Sequence, residues 1–287
     1  MNLEIAVQHF LQDLRNKNKS MGTVNEYQKD LNMFLSYLQK EGVNQVKEVK
    51  GSHMASYLEN LIKVRNYKPS SRNRQMNTLR SFFKFCKKAG IVDVNYAEYL
   101  ERLEEGKVDR VFLTSEEVKT LIQAIEHPLI KLVIITLFFT GSRISECLNL
   151  ELGDIDFEQK ILLIRKGKGN KSRTLPLHPD LESALKDYIN RWRVDCNTNK
   201  LFLTERSGKL SDVYVNRVLK ETVKKLKWDK KITCHVLRHS FASALVQRSV
   251  HIVAVKELLG HASLKTTSGY AHIQRESVEE AIQRLAL

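Results

Sequence analysis

Apolar residues recur every three or four positions through the first hundred residues, which is the spacing of one face of an α-helix. One such stripe begins at Leu3, and a second covers residues 27–38 and ends at Gly42. The sequence Thr23–Glu26 has the capping-box pattern, so it predicts the start of the second helix. A third helix is expected from Ser52. Four or five helices are therefore predicted in this part of the chain.

Residues 104–111 are charged and weakly patterned, and we expect them to separate two domains. The predicted division is a domain of residues 1–105, a linker of residues 106–112 and a domain of residues 113–287. A second capping box, Thr114–Glu117, predicts the first helix of the second domain.

A strongly apolar helix is predicted from Pro128 to the neighbourhood of Gly141, followed by a short helix from Ser142. Thereafter β-branched residues alternate with period two in three short segments, which predicts a three-stranded antiparallel sheet. The predicted strands are residues 155–157, 161–164 and 173–175, with a tight turn at residues 167–170. Helices are expected again from His178 onward. The predicted fold class is mainly α with a small antiparallel β-sheet, as a helical domain followed by an α+β domain.

The composition narrows the class of partner. The 287 residues include 47 Lys and Arg against 33 Asp and Glu, a formal net charge of +14. Such a surface favours anionic partners, with nucleic acid the first candidate and a membrane surface the second. No apolar run approaches the ~20 residues of a membrane span, and no secretory signal is expected. The four cysteines form no CxxC pair, which argues against a disulfide scaffold or zinc module and favours a cytoplasmic protein.

Basic residues are concentrated at residues 61–92, where nine Lys and Arg occur without one Asp or Glu. Apolar residues after Pro69 repeat at helical spacing, so this stretch predicts an amphipathic helix with a basic surface. A basic face is often merely solvated, but nine uncompensated charges favour a helix that contacts phosphates. The predicted DNA-binding residues are Lys68, Arg72, Arg74, Arg80, Lys84, Lys87 and Lys88.

Four separated segments carry side chains suited to phosphate chemistry. In the first, Arg143 follows Gly141 at a helix start, where guanidinium and backbone N–H groups could grip an anion while Glu146 holds the arginine. A surface ion pair is the alternative. In the second, Lys168 lies in the turn between two strands and could protonate a leaving oxygen, unless the turn is simply solvated. This turn is not a Walker A loop, because Asn170 stands where that motif needs Lys.

The third segment places His235 and Arg238 three residues apart on one predicted helix face, where they could bind a phosphate together. A structural histidine is the alternative there. In the fourth segment, Gly260 is predicted to cap a helix, and His261 and Tyr270 flank a further short helix. An ordinary half-buried tyrosine is the alternative for Tyr270.

Together these segments resemble the tyrosine recombinases, the family of phage integrases and Xer-like site-specific recombinases. The resemblance is carried by Arg143 in GSRISE, Lys168 in GKGNKSR, His235 and Arg238 in HVLRH, His261 in LLGH and Tyr270 in TTSGYAH. Order, spacing and context agree over essentially the whole chain. Ser142 is a slight departure, since the family more often has an apolar residue before the arginine.

The resemblance implies a role for each of the central residues. Tyr270 attacks the scissile phosphate and forms a 3′-phosphotyrosyl link. Arg143 and Arg238 hold the nonbridging oxygens, a task that suits the planar guanidinium. His235 assists proton transfer to or from the tyrosine, and His261 donates a hydrogen bond to the phosphate.

The resemblance implies a general acid at Lys168, although Lys166 and Lys171 lie close enough in sequence to leave that choice open. It further implies that Glu146 orients an arginine or a histidine of the site, Arg143 or His235. Two more histidines are expected to be structural, namely His239 and His272.

The resemblance also implies how the protein works as a whole. A SAM-like core-binding domain and a catalytic domain would clamp double-stranded DNA without metal or other cofactor. A homotetramer on two recombination sites, monomeric or weakly associated when free, would exchange strands through a Holliday junction. Residues 277–287 are amphipathic and could dock on a neighbouring protomer or on their own domain. The biological role stays open between integration or excision, resolution of dimers and resolution of transposon cointegrates.

Two other classes of protein fit parts of the sequence. A type IB topoisomerase shares the Tyr, Arg and His chemistry but releases relaxed circles, and the compact two-domain layout favours recombination. A basic helical DNA-binding regulator would explain the charge and the helices. It would not explain five phosphate-handling residues in this order.

Overall fold

The computed structural model describes residues 1–106, 111–165, 172–194, 197–204 and 208–260 of the chain. The chain divides into two compact units, residues 1–108 and residues 109–287, each with its own hydrophobic core. They are called the N-terminal unit and the C-terminal unit below. Within the described ranges, no helix is both long enough and apolar enough to cross a lipid bilayer.

Four α-helices build the N-terminal unit. Their bounds are α1 (Leu3–Asn16), α2 (Met21–Lys40), α3 (Gly51–Lys63) and α4 (Pro69–Lys88). The apolar stripes predicted from the sequence form its core, in which Phe10, Phe34 and Phe82 are buried. Phe10 packs edge to face on Phe82, with ring centroids 5.6 Å apart. The hydrophobic spacing therefore decides which face of each helix points inward.

Two helix starts differ from the sequence prediction. α2 begins at Met21, because the Ser20 hydroxyl accepts a hydrogen bond from the backbone N–H of Thr23 (3.2 Å) and forms the N-cap. The cap is therefore not the predicted Thr23, which lies inside the helix. α3 begins at Gly51, one residue before Ser52. Ser and Thr are both good caps, so the local pattern alone does not choose between them.

A buried carboxylate fastens α4 to α2. Asp30 on α2 is 1% exposed and accepts hydrogen bonds from Arg74, Gln75 (2.8 Å) and Thr78 (2.9 Å) on α4. Tyr57 on α3 donates in turn to the Gln75 side-chain oxygen (3.1 Å). A buried carboxylate is costly unless donors surround it. This network therefore fixes the rotation of α4 and decides which of its basic side chains face solvent.

α4 also holds the segment that follows it toward the end of the N-terminal unit. The Asn73 side chain pairs with the backbone of Leu103, donating to its carbonyl (2.8 Å) and accepting from its N–H (2.9 Å). Arg80 donates to the carbonyls of Ala97 (3.1 Å) and Leu100. Polar side chains of one helix thus satisfy the backbone of a segment that has little regular structure of its own.

The C-terminal unit is built around the helix Pro128–Thr140, which is apolar over most of its surface and mostly buried. The α-helices among its described residues are α5 (Ser115–Ala124), α6 (Pro128–Thr140), α7 (Ile144–Leu148), α8 (Pro179–Arg191), α9 (Asp212–Lys225), α10 (Cys234–Gln247) and α11 (Ile252–Leu259). The capping box predicted at Thr114 is confirmed, since its hydroxyl accepts from the Glu117 N–H and its own N–H donates to the Glu117 carboxylate. Gly141 ends α6 and Gly260 ends α11, both as predicted.

The predicted three-stranded antiparallel sheet is confirmed, in the order β1-β2-β3. Its strands are β1 (Ile155–Asp156), β2 (Ile161–Ile164) and β3 (Arg173–Pro176). Leu162 pairs with Leu175 across β2 and β3, and both are buried. Ile164 pairs with Arg173 at the end of the two strands that leads to residues 166–171, which lie outside the described residues. The sheet thereby fixes the position of Arg173.

Candidate active site

Arg143 lies at the start of α7 and is held by a carboxylate one turn away. The helix begins at Ile144 rather than at Ser142, so Arg143 is its N-cap residue. Glu146 accepts one hydrogen bond from the Arg143 backbone N–H (3.0 Å) and one from its guanidinium (2.6 Å). The Arg143 backbone N–H, which the sequence analysis expected to bind an anion, thus donates to Glu146 instead. The Arg143 side chain remains 28% exposed and accessible to a ligand.

Glu146 also binds a second arginine, through the same oxygen that accepts the Arg143 backbone N–H. Arg173 on β3 donates to Glu146 Oε2 at 2.8 Å. Burial would raise the pKa of Glu146, but hydrogen bonds from Arg173 and from the Arg143 backbone lower that pKa to about 2. Glu146 is therefore ionised at neutral pH and holds Arg143 and Arg173 on either side.

Arg238 on α10 is 2% exposed and bridges two other segments. Its guanidinium donates to the carbonyl of Gly141 (2.7 Å) and to the carbonyl of Leu259 (2.7 Å). Gly141 precedes Arg143 by two residues, and Leu259 is the last residue of α11. Arg238 therefore fixes the approach to Arg143 against the end of α11.

Arg173 connects to the same helix end, because its Nε donates to the carbonyl of Leu258 at 2.8 Å. The last carbonyls of an α-helix have no partner within the helix and attract positive charge. The carbonyls of Leu258 and Leu259 thus each accept a hydrogen bond from one arginine side chain. The name arginine cluster is used below for Arg143, Arg173, Arg238 and Glu146.

Two glycines permit these close approaches. Gly141 has φ +57°, and a Cβ there would lie 2.3 Å from the Phe241 ring of α10. Gly260 has φ +64°, and a Cβ there would lie 3.0 Å from the Arg173 guanidinium. Glycine is needed at both positions for its conformation and for its lack of a side chain.

His235 lies on α10 one turn before Arg238, as the spacing predicted. It is exposed, and its ring meets that of His239 edge to face with centroids 4.5 Å apart. His239, predicted to be structural, is therefore the immediate neighbour of His235. Their roles stay predictions.

Several predicted site residues lie outside the described residues. They are Lys166, Lys168, Lys171, His261, Tyr270, His272 and residues 277–287. Connectivity places the three lysines between β2 and β3, and His261 directly after Gly260. Across the part of the chain that the structure describes, no three His, Cys, Asp or Glu side chains are grouped to hold a metal ion.

The seven predicted DNA-binding residues divide into two groups. Arg72 and Arg80 donate to backbone carbonyls of residues 97–101, and Arg74 pairs with Asp30. The prediction that no acidic residue compensates these charges is wrong for Arg74. Its partner Asp30 lies on α2, far away in the sequence. The other four residues are exposed, namely Lys68, Lys84, Lys87 and Lys88. DNA contact stays a prediction for all seven.

Sequence reasoning missed Arg173, which joins β3, α7 and α11. One signal could have found it. Side chains in a strand alternate between faces, so Arg173 lies on the same face as Leu175, which is buried. An arginine on the inward face of a strand needs partners, and its partners here are Glu146 and Leu258.

Sequence comparison identifies the family. A profile described as the phage integrase family matches residues 111–277, and one described as the phage integrase N-terminal SAM-like domain matches residues 7–90. The chain belongs to the phage integrase family. It is a tyrosine recombinase, an enzyme that cleaves and rejoins DNA strands in site-specific recombination.

Relatives match over nearly their full length. Tyrosine recombinase XerA of Pyrococcus furiosus is 35% identical over 290 residues, which cover 98% of this chain and 94% of that protein. Tyrosine recombinase XerC of Oceanobacillus iheyensis is 32% identical over 294 residues, covering 98% and 96%. The crystal structure of the XerH site-specific recombinase bound to difH substrate is similar with a TM-score of 0.72 and 27% identity, covering 96% and 83%. The resemblance, the fold class and the enzyme class predicted from the sequence are confirmed, and the topoisomerase and regulator alternatives are set aside.

Proposed function

We propose that this chain recombines double-stranded DNA with Tyr270 as its nucleophile. The tyrosine oxygen attacks the scissile phosphate, a 3′-phosphotyrosyl ester forms, and the 5′-oxygen leaves as a hydroxyl after it takes up a proton. The ester conserves the phosphate bond, so a 5′-hydroxyl of a partner strand can reverse the step without ATP. In this scheme neither a metal ion nor another cofactor takes part.

The arginine cluster is the observation that carries this proposal. Arg143 and Arg238 are assigned to the nonbridging oxygens of the scissile phosphate. Arg238 is fixed by two backbone carbonyls and Arg143 by a carboxylate that is ionised at neutral pH. Positive groups already held in place need no reorganisation when negative charge develops, which is the most effective form of electrostatic catalysis.

The remaining catalytic roles rest on the family motif. His235 moves the proton of the tyrosine, and His261 donates to the phosphate. Lys168 protonates the 5′-oxygen, with Lys166 and Lys171 as alternatives. The contact between Glu146 and the Arg143 guanidinium supports an orienting role toward that arginine.

The proposed partner is a duplex recombination site. The exposed lysines around α4 support contact with the DNA backbone, and the related XerH was crystallised on its difH substrate. We assign a homotetramer on paired sites, a monomer or weak oligomer in free solution, and exchange through a Holliday junction. Full-length similarity to XerA and XerC supports a Xer-like role, within the range of integration or excision and the resolution of dimers or cointegrates. Buried thiols at Cys86, Cys147 and Cys234 suit the reducing cytoplasm.

Covalent trapping tests this proposal. Duplexes selected by binding to the purified protein are nicked so that the released fragment diffuses away and the phosphotyrosyl ester accumulates. We expect the wild type and a Tyr214→Phe control to give a DNA-linked band that survives denaturant. Tyr270→Phe should bind the DNA and give no band. A band from Tyr270→Phe would contradict the assignment of the nucleophile.

A further inference from the structure

Arg173 makes contacts that none of the roles assigned above uses. Its Nη2 donates to Glu146 Oε2 and its Nε donates to the Leu258 carbonyl, both at 2.8 Å. Its side chain is 11% exposed, and the backbone of Gly260 passes close to the guanidinium. Arg173 therefore lies between Glu146 and the end of α11 and is nearly buried, unlike a solvent-exposed ion pair.

Three elements of the proposed site meet at this side chain. β3 carries Arg173 and follows the segment that contains Lys168. α7 supplies the carboxylate that binds Arg143. α11 supplies Leu258, three residues before His261 in the sequence. Arg173 thus links the three elements next to which Lys168, Arg143 and His261 occur in the sequence.

We propose that Arg173 is a positioning residue, which fixes Arg143 on α7 relative to β3 and to the C-terminal end of α11. It acts through Glu146 and the end of α11 and does not contact DNA itself. The inference rests on the proposed function, because it assigns the groups that Arg173 positions to a single scissile phosphate.

The contacts explain why an arginine stands here. A guanidinium presents several N–H donors in one rigid plane, so it can bind the carboxylate and the carbonyl at once. A lysine ammonium on a flexible stem can satisfy one of them well. An apolar residue would satisfy neither, and it would leave the buried Glu146 with Arg143 as its sole ion-pair partner among the described residues, at a large cost.

Single-turnover cleavage of the nicked duplex at saturating DNA tests this role. We expect Arg173→Met to lower the cleavage rate by about 100-fold, because displacements of about 1 Å at a reacting centre have effects of that size. Arg173→Lys should lower it by about tenfold, as one of two contacts is kept. DNA affinity should stay within about twofold of wild type in both variants.

Arg165→Met is the matched control. Arg165 lies at the other end of the same 166–171 segment, but it pairs with Glu151 and Asp154 rather than with Glu146. Its cleavage rate should stay within about twofold of wild type, because the ion pairs of Arg165 include no member of the arginine cluster. An equal loss in the Arg165 and Arg173 variants would assign the effect to the strands in general and overturn the inference.

A double-mutant cycle with Glu146→Gln separates positioning from a merely structural role. If Arg173 acts through Glu146, the double variant should cleave about as slowly as the slower single variant, whereas independent effects would multiply. Arg173→Lys serves for the cycle if Arg173→Met does not fold. Multiplied effects, or a wild-type rate in Arg173→Met, would overturn the inference alone. A wild type that forms no covalent adduct would overturn the proposed function and this inference with it.

Discussion

The two groups of basic residues in this chain differ in how they are assembled and used. On α4 of the N-terminal unit they are adjacent in sequence, and lysines such as Lys84 and Lys88 extend into solvent. In the C-terminal unit, Arg143, Arg173 and Arg238 come from three distant segments and are bound to carbonyls or to one carboxylate. The lysines of the dense run therefore form an accessible surface, whereas the predicted DNA-binding arginines of α4 are held, as the arginine cluster is, by carbonyl or carboxylate oxygens.

The physical demands of the two tasks explain this difference. Holding a DNA backbone requires a positive field over many phosphates, which mobile exposed lysines provide. Acting on one phosphate requires cations at fixed positions, which only buried hydrogen bonds provide. Changes in the arginine cluster should therefore affect stability and cleavage, whereas changes on the exposed face of α4 should affect the salt dependence of binding.

The largest difference in stability is expected between alanine substitutions at two glycines, one that follows α6 and one that follows α4. Gly141→Ala should destabilise the protein by about 4 kcal/mol, because its Cβ would collide with Phe241 in a left-handed backbone conformation. Gly90→Ala, also at positive φ but with no described atom within 4 Å of its Cβ, should cost about 1 kcal/mol. Denaturant unfolding measures both values. Equal losses would show that α6 does not approach α10 as closely as described.

The acid dependence of stability gives the next effect. Glu146 has a pKa near 2 in the folded chain, below its usual 4.5, so its ion pairs stabilise the fold above pH 4.5 and are lost as the pH falls toward 2. The difference corresponds to about 3 kcal/mol. Glu146→Gln should remove this part of the acid dependence of unfolding. Glu59→Gln, which affects an exposed pair with Lys63, should leave the curve unchanged, and a flattened curve there would contradict the distinction.

The smallest expected effects distinguish the roles of two basic residues that lie one turn apart on α4, Arg80 and Lys84. Arg80→Met should destabilise the protein by about 2 kcal/mol, because the carbonyls of Ala97 and Leu100 lose their donors, and should also lower the salt slope of DNA binding by about 1. Lys84→Met should leave stability unchanged and lower that slope by about 1. Thermal unfolding and salt titration of binding measure the two quantities. An unchanged slope in Arg80→Met would remove that arginine from the predicted DNA contacts.

Local features of the fold could be predicted from the sequence. The apolar spacing, the capping box at Thr114 and the period-two segments around Leu162 depend on neighbouring residues, and the structure confirms them. The start of α2 differs from the prediction by a few residues, because Ser20 and Thr23 both offer a capping hydroxyl group and Ser20 forms the cap.

Contacts between distant residues could not be predicted in this way. Arg74 and Asp30 are 44 residues apart, and Arg173 and Glu146 are 27 apart, so no local pattern relates their charges. The family motif identified Arg143 and Arg238 as site residues because their types and order are characteristic. Arg173 is the last residue of the GKGNKSR segment, but the motif assigns it no role.

The dependence of cleavage rate on DNA concentration tests the division of labour most directly. It is measured in single turnovers for Arg238→Lys and for a variant with Lys84, Lys87 and Lys88 all changed to Gln. Arg238→Lys should lower the maximal rate by about 100-fold or more with little change in the DNA concentration at half-maximum. The lysine variant should reach the wild-type maximum but need about tenfold more DNA. A wild-type maximal rate in Arg238→Lys, or a lowered maximum in the lysine variant, would contradict the assignment of catalysis to the arginine cluster and of binding to α4.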